Sequence, residues 1–114
     1  MNQFMMIFRK DKAMPQPSPE QMQASVKLWQ DWIGGIAAQG KLVGTEALGF
    51  EGKLLKSDGS VTDGPYAEIK EIVGGYLTCK ADSLDEAVSL ADGCPMFAMG
   101  GTVEVRSVMD IPKS

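Results

Sequence analysis

Near its start the chain reads Gln3-Phe4-Met5-Met6-Ile7-Phe8-Arg9, which places apolar side chains on both sides of an extended backbone. Phe4, Met6 and Phe8 fall on one face while the apolar residues between them fall on the other, an alternation that predicts a β-strand. Because neither face is polar, this strand must be covered on both sides. Helices are expected to cover one face, and a second copy of the same sheet is the simplest cover for the other.

A long amphipathic helix follows the first strand. It starts at Ser18-Pro19-Glu20-Gln21, where serine can cap the helix, proline suits the first helical position and glutamine can close a capping box. The helix is predicted to end at Gln39, before Gly40. Inside it, Gly34-Gly35 costs about 1 kcal/mol per glycine relative to alanine, and a close approach to the sheet would explain the pair. The apolar stripe has helical spacing and consists of Met22, Val26, Trp29, Ile33 and Ile36.

The remaining segments are strands, turns and one short helix. Asp58-Gly59 between short apolar stretches predicts a β-hairpin whose two turn residues have positive φ. Ser83-Leu84-Asp85-Glu86 predicts a second capping box, at the start of a short helix that ends near Gly93. The predicted strands are residues 42–48, 53–56, 61–62, 72–81 and 102–108, and residues 12–17 form a loop.

This order of elements predicts the fold class. Two strand–helix–strand units in series, each with one amphipathic helix, are typical of an α+β protein with a ferredoxin-like split βαβ sandwich. Both helices would cover one face of an antiparallel sheet, and the opposite face would pair in a homodimer. The length of 114 residues, without a linker or a repeat, predicts a single domain over residues 1–114.

Composition narrows the classes of function. The net charge is −4 and the eleven lysine and arginine residues are scattered, which argues against a nucleic-acid partner. Histidine is absent, which excludes Ser-His-Asp and Cys-His pairs and histidine-ligated metal sites. We expect no metal site and no cofactor. The lack of a long apolar run predicts no membrane association, and two cysteines without redox or metal spacing favour the cytoplasm.

The densest motif is Asp63-Gly64-Pro65-Tyr66-Ala67-Glu68-Ile69-Lys70-Glu71, followed by Gly74-Gly75-Tyr76. It combines a turn, a rigid corner, an aromatic ring and alternating charges. We interpret it as one wall of a cleft between the long helix and the sheet. The ligand-binding candidates are Asp63, Tyr66, Glu68, Lys70, Glu46, Arg106 and Trp29, and the catalytic candidates are Asp63 and Glu46.

The two catalytic candidates also have structural interpretations. Asp63 can form an Asx turn before Gly-Pro, whereas a role as a base would need burial or a like charge to raise its pKa. Glu46 is expected on the same strand face as Leu42. It is either exposed at a sheet edge, paired with Lys70 or Arg106, or in contact with a ligand.

The other candidates have similar alternatives. Trp29 is expected chiefly in core or dimer contacts, with a pocket wall as the alternative, and Tyr66 is a packing anchor or a ligand contact. The charges of residues 68–71 can form a solvated face. Cys79 is expected in the core, and Cys94 is expected to be the more accessible thiol.

Together with Ser83-Leu84-Asp85-Glu86-Ala87 and Gly101-Thr102-Val103-Glu104-Val105-Arg106, the motif of residues 63–76 resembles the YCII-related proteins. The resemblance is strongest to the branch named for Asp-Gly-Pro-Phe (DGPF), where Tyr66 replaces the usual phenylalanine. It implies a dimeric α+β barrel of ferredoxin-like subunits. Some of these proteins carry a His–Asp pair proposed as catalytic, and one relative is a dehydrochlorinase of chloroaromatic breakdown. The branch is also associated with sigma factors of the extracytoplasmic type.

Three hypotheses of function follow. The first is a dimeric small-molecule-binding or regulatory protein with its cleft near residues 63–71. The second is a cofactor-free lyase, isomerase or dehydrochlorinase-like enzyme, in which a carboxylate replaces histidine as the base and Lys70 or Arg106 steadies an enolate. The third is a protein-interaction partner of a sigma factor. The residues do not decide whether the chain is an enzyme.

Overall fold

The structure is a computed structural model that describes residues 1–11, 18–49, 51–64 and 71–110. These residues form six strands, two α-helices and one short 3-10 helix. The elements are β1 (Asn2–Asp11), α1 (Pro19–Ala38), β2 (Leu42–Ala47), β3 (Gly52–Leu55), β4 (Val61–Gly64), β5 (Glu71–Ala81), α2 (Leu84–Ala91), the 3-10 helix (Pro95–Met99) and β6 (Thr102–Ser107).

The main sheet has four strands in the order β2-β5-β1-β6, and every neighbouring pair is antiparallel. The long strands β1 and β5 lie in the middle, so each β-α-β unit is split by a strand from the other unit. The predicted α+β class and antiparallel sheet are therefore confirmed, and the topology is consistent with a ferredoxin-like fold. Strands β3 and β4 form a separate two-stranded sheet.

The core lies between one face of this sheet and both helices. Phe4, Met6 and Phe8 of β1 are buried on that face, and they belong to one cluster with Ile36 of α1 and Ala87 of α2. The two helices thus share one face, as predicted. They are joined by the Trp32 indole, whose Nε1 donates a hydrogen bond to the Leu90 carbonyl oxygen at 3.0 Å.

The opposite face of the sheet has no cover within the described part of the chain. Met5, Ile7 and Tyr76 lie on it and are half-buried, because only neighbouring side chains shade them. Arg9 and Glu104 form an ion pair there, with 3.0 Å between Nη2 and Oε1. The centre of this sheet face is apolar and its edges are charged. The face that the sequence predicts to need a second cover is therefore the one that the described residues leave open.

The start of α1 follows its sequence signals closely. The Ser18 hydroxyl accepts a hydrogen bond from the Gln21 backbone N–H, and the Gln21 side chain accepts one from the Ser18 N–H. The capping box of α2 is only half formed. Ser83 caps the Glu86 N–H at 3.1 Å, but the Glu86 carboxylate pairs with Lys41, with 3.0 Å between Oε1 and Nζ.

The apolar stripe of α1 is covered only towards its C-terminal end. Ile36 is buried, whereas Met22 and Val26 are each 53% exposed. Val26 borders a cavity that lies between this part of α1 and the sheet. An amphipathic pattern shows which side of a helix faces the protein, but it does not show whether the space beneath is filled.

The predicted hairpin forms with a different turn. Gly59 has φ +89°, but no other type of residue in the described ranges has positive φ, so Asp58 does not adopt the second left-handed position expected of a two-residue turn. The Gly59 N–H instead donates to the Lys56 carbonyl at 2.9 Å, and the Lys56 N–H donates to Ser60 at 2.9 Å. This is a three-residue loop that ends in a left-handed glycine. The Asp58 carboxylate accepts the Ser60 N–H at 2.8 Å and stabilises the loop.

The interpretation of Gly34-Gly35 as a close-packing site is wrong. A Cβ built on either glycine meets no atom within 4 Å, and both residues are exposed. A close approach requires glycine at Gly75 and Gly101 instead, since a Cβ there would lie 2.6 Å from the carbonyl oxygens of Glu46 and Arg9, respectively.

We therefore predict opposite effects of alanine at these positions. Gly34→Ala and Gly35→Ala should each raise the free energy of unfolding by about 0.5–1 kcal/mol, because alanine restricts the unfolded chain and fits the open helix surface. Gly75→Ala should lower it by about 1–3 kcal/mol, because β2 must move away from β5. Urea denaturation measures all three. Equal effects at positions 35 and 75 would contradict the packing described here.

The Lys41–Glu86 ion pair gives a prediction for pH. The two side chains are 22% and 31% exposed, and Glu86 Oε1 is shielded from solvent with the Lys41 ammonium 3.0 Å away as its charge partner. The hydrogen bond from Lys41 lowers the pKa of the Glu86 carboxyl below its usual value of 4.5. A lowered folded-state pKa stabilises the protein above the unfolded-state value, and this contribution is lost as the pH falls through the folded-state value.

Lys41→Met should therefore destabilise the protein at neutral pH, and the difference from wild type should shrink once the pH falls below 4.5. Denaturant unfolding across this range measures the effect. Lys53→Met is the matched control, because its pair with Asp63 is 3.6 Å long and the side chains are 73% and 94% exposed. A Lys41→Met difference that stays constant with pH would show that Glu86 does not carry the effect.

Candidate functional site

A cavity of about 420 Å³ lies between the middle of α1 and one end of the main sheet. Val26, Trp29 and Ile33 of α1 form its roof. Its floor is made by β2, β5 and β1, and Met96 and Met99 of the 3-10 helix close one side. Ligand sites typically have volumes of about 300–1,000 Å³, so this space is large enough for a small molecule.

The floor is open because the residues that β2 and β5 contribute to one row of the sheet have almost no side chain. Ala47, Gly75 and Phe8 are paired across β2, β5 and β1, and they all face the helices. Gly74 beside them is the extra residue of a β-bulge, since Phe8 pairs with Gly75 and the next residue of β1 pairs with Val73. Two glycines and an alanine thus leave a gap where α1 would otherwise pack on the sheet.

Aromatic rings form the wall at the β1 side of the cavity. The rings of Phe8 and Trp29 meet edge to face, with centroids 5.0 Å apart, and Trp32 lies 5.9 Å from Phe8 and 5.6 Å from Trp29. Trp32 is held by its hydrogen bond to Leu90. Both interpretations of Trp29 therefore hold, because it packs on the core cluster and also lines the cavity. A fixed aromatic wall favours flat apolar ligands.

In the described part of the chain, polar side chains reach the cavity from β1, α1 and β2. Lys10 lies on the helix-facing side of β1, two residues beyond Phe8, and its Cε is 3.7 Å from the place where Gly74 would carry a Cβ. Gln30 comes from α1. Thr45 comes from β2, and its hydroxyl donates to the Tyr76 carbonyl oxygen at 2.8 Å, so only its lone pairs can meet a ligand.

Glu46 contributes its backbone to the cavity. The expectation that it shares a strand face with Leu42 is wrong, because the register of β2 shifts between Leu42 and Gly44. Leu42 pairs with Cys79 on the helix side, whereas Glu46 pairs with Tyr76 on the opposite face. A β-bulge inserts one residue and so reverses the side on which the following residues project. Glu46 is exposed on an edge strand, which matches the first of its three predicted alternatives.

The other predicted site residues do not line the described part of the cavity. Asp63 lies in β4, where its carboxylate is 94% exposed and 3.6 Å from the Lys53 ammonium. Arg106 pairs with Met5 on the open face of the sheet and is exposed. Tyr66, Glu68 and Lys70 lie outside the described residues.

The two cysteines are free thiols in buried positions. Cys79 is in the core, as predicted, and burial raises its pKa. Cys94 is the more accessible thiol by a small margin, at 4% exposure against 0%, but it is buried as well, and burial raises its pKa to about 11. A thiol with a raised pKa is a poor nucleophile at neutral pH, so neither cysteine is suited to covalent chemistry.

Sequence reasoning missed Lys10, Gln30, Thr45 and both methionines as cavity residues. One signal was available, because Gly74-Gly75 in a central strand indicates a bulge or a close backbone approach. Met96 is buried. Met99 lines the cavity with it, and flexible thioethers are well suited to an adaptable apolar wall.

Within the described ranges, no cluster of three or more cysteine and carboxylate side chains is placed to hold a metal ion. The same ranges contain no helix that is both long enough and apolar enough to cross a bilayer.

A family model described as the YCII-related domain matches residues 3–112. The chain belongs to the YCII-related family. The match covers both β-α-β units and the hairpin between them, so the resemblance drawn from the motifs is confirmed at the level of the family. No curated protein matches the chain. The YCII-related description names a domain and no reaction, so the function must be argued from the cavity.

Proposed function

We propose that this YCII-related protein is a homodimer that binds a small molecule in the cavity between α1 and the main sheet. The cavity itself supports this proposal most directly. It has about 420 Å³ of space, two aromatic rings and two methionines in its walls, and few polar side chains. This composition is typical of ligand sites, which combine an apolar lining with a small number of polar groups.

The segment that connects β4 to β5 supports the same location. β5 begins at Glu71, which is three residues before Gly74 in the cavity floor. The chain therefore enters β5 next to the cavity. We propose that residues 65–70 contribute to its rim, with Tyr66, Glu68 and Lys70 as ligand contacts.

Binding is better supported than carboxylate catalysis. A carboxylate base needs burial or a like charge to raise its pKa towards neutrality. Asp63 is 94% exposed and faces a lysine, and the register of β2 directs Glu46 away from the cavity. The lyase, isomerase or dehydrochlorinase-like alternative would require a base from the residues 65–70.

The dimer is proposed from the open face of the sheet. Met5, Ile7 and Tyr76 form an apolar centre on two neighbouring strands, and a two-fold axis through this face would pair equal surfaces. Such pairing is the α+β barrel that the motif resemblance implies. Membership of the DGPF branch rests on Asp63-Gly64-Pro65-Tyr66. A sigma-factor partner and a cytoplasmic location remain predictions; the two free thiols support a reducing compartment.

Filling the floor should abolish binding. A thermal-shift screen of small flat compounds should stabilise the wild type, by about 2.7 kcal/mol at a hundredfold excess over Kd. Ala47→Leu places a larger side chain over Gly75 and should remove the stabilisation. Ala24→Leu, the same substitution at an exposed position of α1, is the control and should bind as wild type does. Ligand shifts that survive Ala47→Leu would place the site elsewhere.

Charging the open face should separate the subunits. Light scattering should give twice the chain mass for the wild type and the chain mass for Ile7→Lys, because two lysines would meet near the two-fold axis. Leu55→Lys is the control, since Leu55 is 70% exposed on the hairpin. Circular dichroism shows whether each variant is folded. A wild type with the mass of one chain would contradict the dimer without affecting the cavity.

A further inference from the structure

We infer that the ligand of this cavity is an elongated, flat and mainly apolar anion, whose charged end is bound by Lys10. The inference rests on the proposed function and adds the chemical class of the ligand. It combines three observations: the shape of the floor, the distribution of apolar groups along it, and the side on which each charged residue projects.

The floor determines the shape of the ligand. Ala47, Gly75 and Phe8 are paired across three neighbouring strands, and strands lie about 4.8 Å apart, so this row is about 10 Å long. At two of the three positions of this row the side chain is small: a hydrogen atom at Gly75 and a methyl group at Ala47. Trp29 and Ile33 lie above the row. A low space of this length accepts a flat molecule of two fused or linked rings more readily than a compact one.

The apolar groups determine the orientation of the ligand. Phe8 and Trp29 meet at the β1 side of the row, and Met96 and Met99 lie beside them. Aromatic edges and thioethers both interact favourably with a ring. Thr45 at the β2 side offers only acceptor lone pairs because its hydroxyl proton is used. The ring system is therefore expected over Gly75, against the aromatic wall.

The charged side chains determine the sign of the ligand charge. Lys10 projects from the helix face of β1, and its stem passes beside Gly74, so its ammonium reaches the end of the bare floor. Lys10 takes part in another interaction, but an ammonium has three donors and can still donate to a ligand. Among the described charged residues near the floor, Glu46 faces the other side of the sheet, and so does Asp11, which pairs with Glu71 one position beyond Lys10.

Isothermal titration calorimetry with three matched probes tests this inference: 2-naphthoate, neutral 2-naphthamide and cationic 2-naphthylmethylammonium. The wild type should bind the naphthoate about tenfold more tightly than the amide, since a hydrogen bond to a charged group contributes about one order of magnitude in affinity. The cation should bind most weakly. Lys10→Met should bind naphthoate and naphthamide equally, and its unchanged affinity for the amide would show that the cavity is intact.

Two variants serve as controls. Lys27→Met removes the same charge from an exposed position of α1 and should keep the tenfold preference. Ala47→Leu should abolish binding of all three probes. If the wild type binds the three probes equally and Ala47→Leu binds none of them, the preference for an anion is wrong, whereas the small-molecule site is supported. The inference would also be overturned if the wild type preferred the cation, or if Lys10→Met kept the preference for naphthoate. Binding of none of the probes to the wild type would overturn both this inference and the proposed site for flat ligands.

Discussion

The whole structure depends on a central strand that is apolar on both faces. β1 pairs with β5 on one side and with β6 on the other, so its backbone is satisfied and its side chains must be covered above and below. α1 and α2 cover Phe4, Met6 and Phe8. The opposite face, with Met5 and Ile7, cannot be covered by these helices because both connections cross on the same side. We propose a second subunit as this cover.

Local signals predicted the elements well, because each rests on the chemistry of a few adjacent residues. The capping box at Ser18, the loop at Asp58-Gly59 and the cap at Ser83 all form where the sequence indicates. Their details differ where a distant partner intervenes. The Glu86 side chain does not complete the capping box, because it forms an ion pair with Lys41. Lys41 lies 45 residues earlier in the chain and reaches Glu86 only in the folded protein.

The strand faces were harder to predict, because alternation holds only until a bulge. The shift after Leu42 moves Glu46 to the far face, and the shift opposite Phe8 inserts Gly74 into β5 beside the floor. The bulge in β5 has a signal in Gly74-Gly75, whereas the bulge in β2 has none in its own strand and is decided by the pairing with β5. A cavity exists where the sequence predicts a cleft, between the long helix and the sheet, and Trp29 lines it, whereas Asp63 and Arg106 do not line its described part.

Gly75 has two roles, and they cannot be separated. It lets β2 approach β5, because its Cβ would lie 2.6 Å from the Glu46 carbonyl oxygen, and it leaves the cavity floor bare. Any larger residue would both disturb the sheet and occupy the site. Ala47 and Lys10 carry no such constraint, since one is at an exposed edge and the other has a flexible side chain. The shape of the cavity is thus tied to the stability of the sheet, whereas its length and charge can change without loss of the fold.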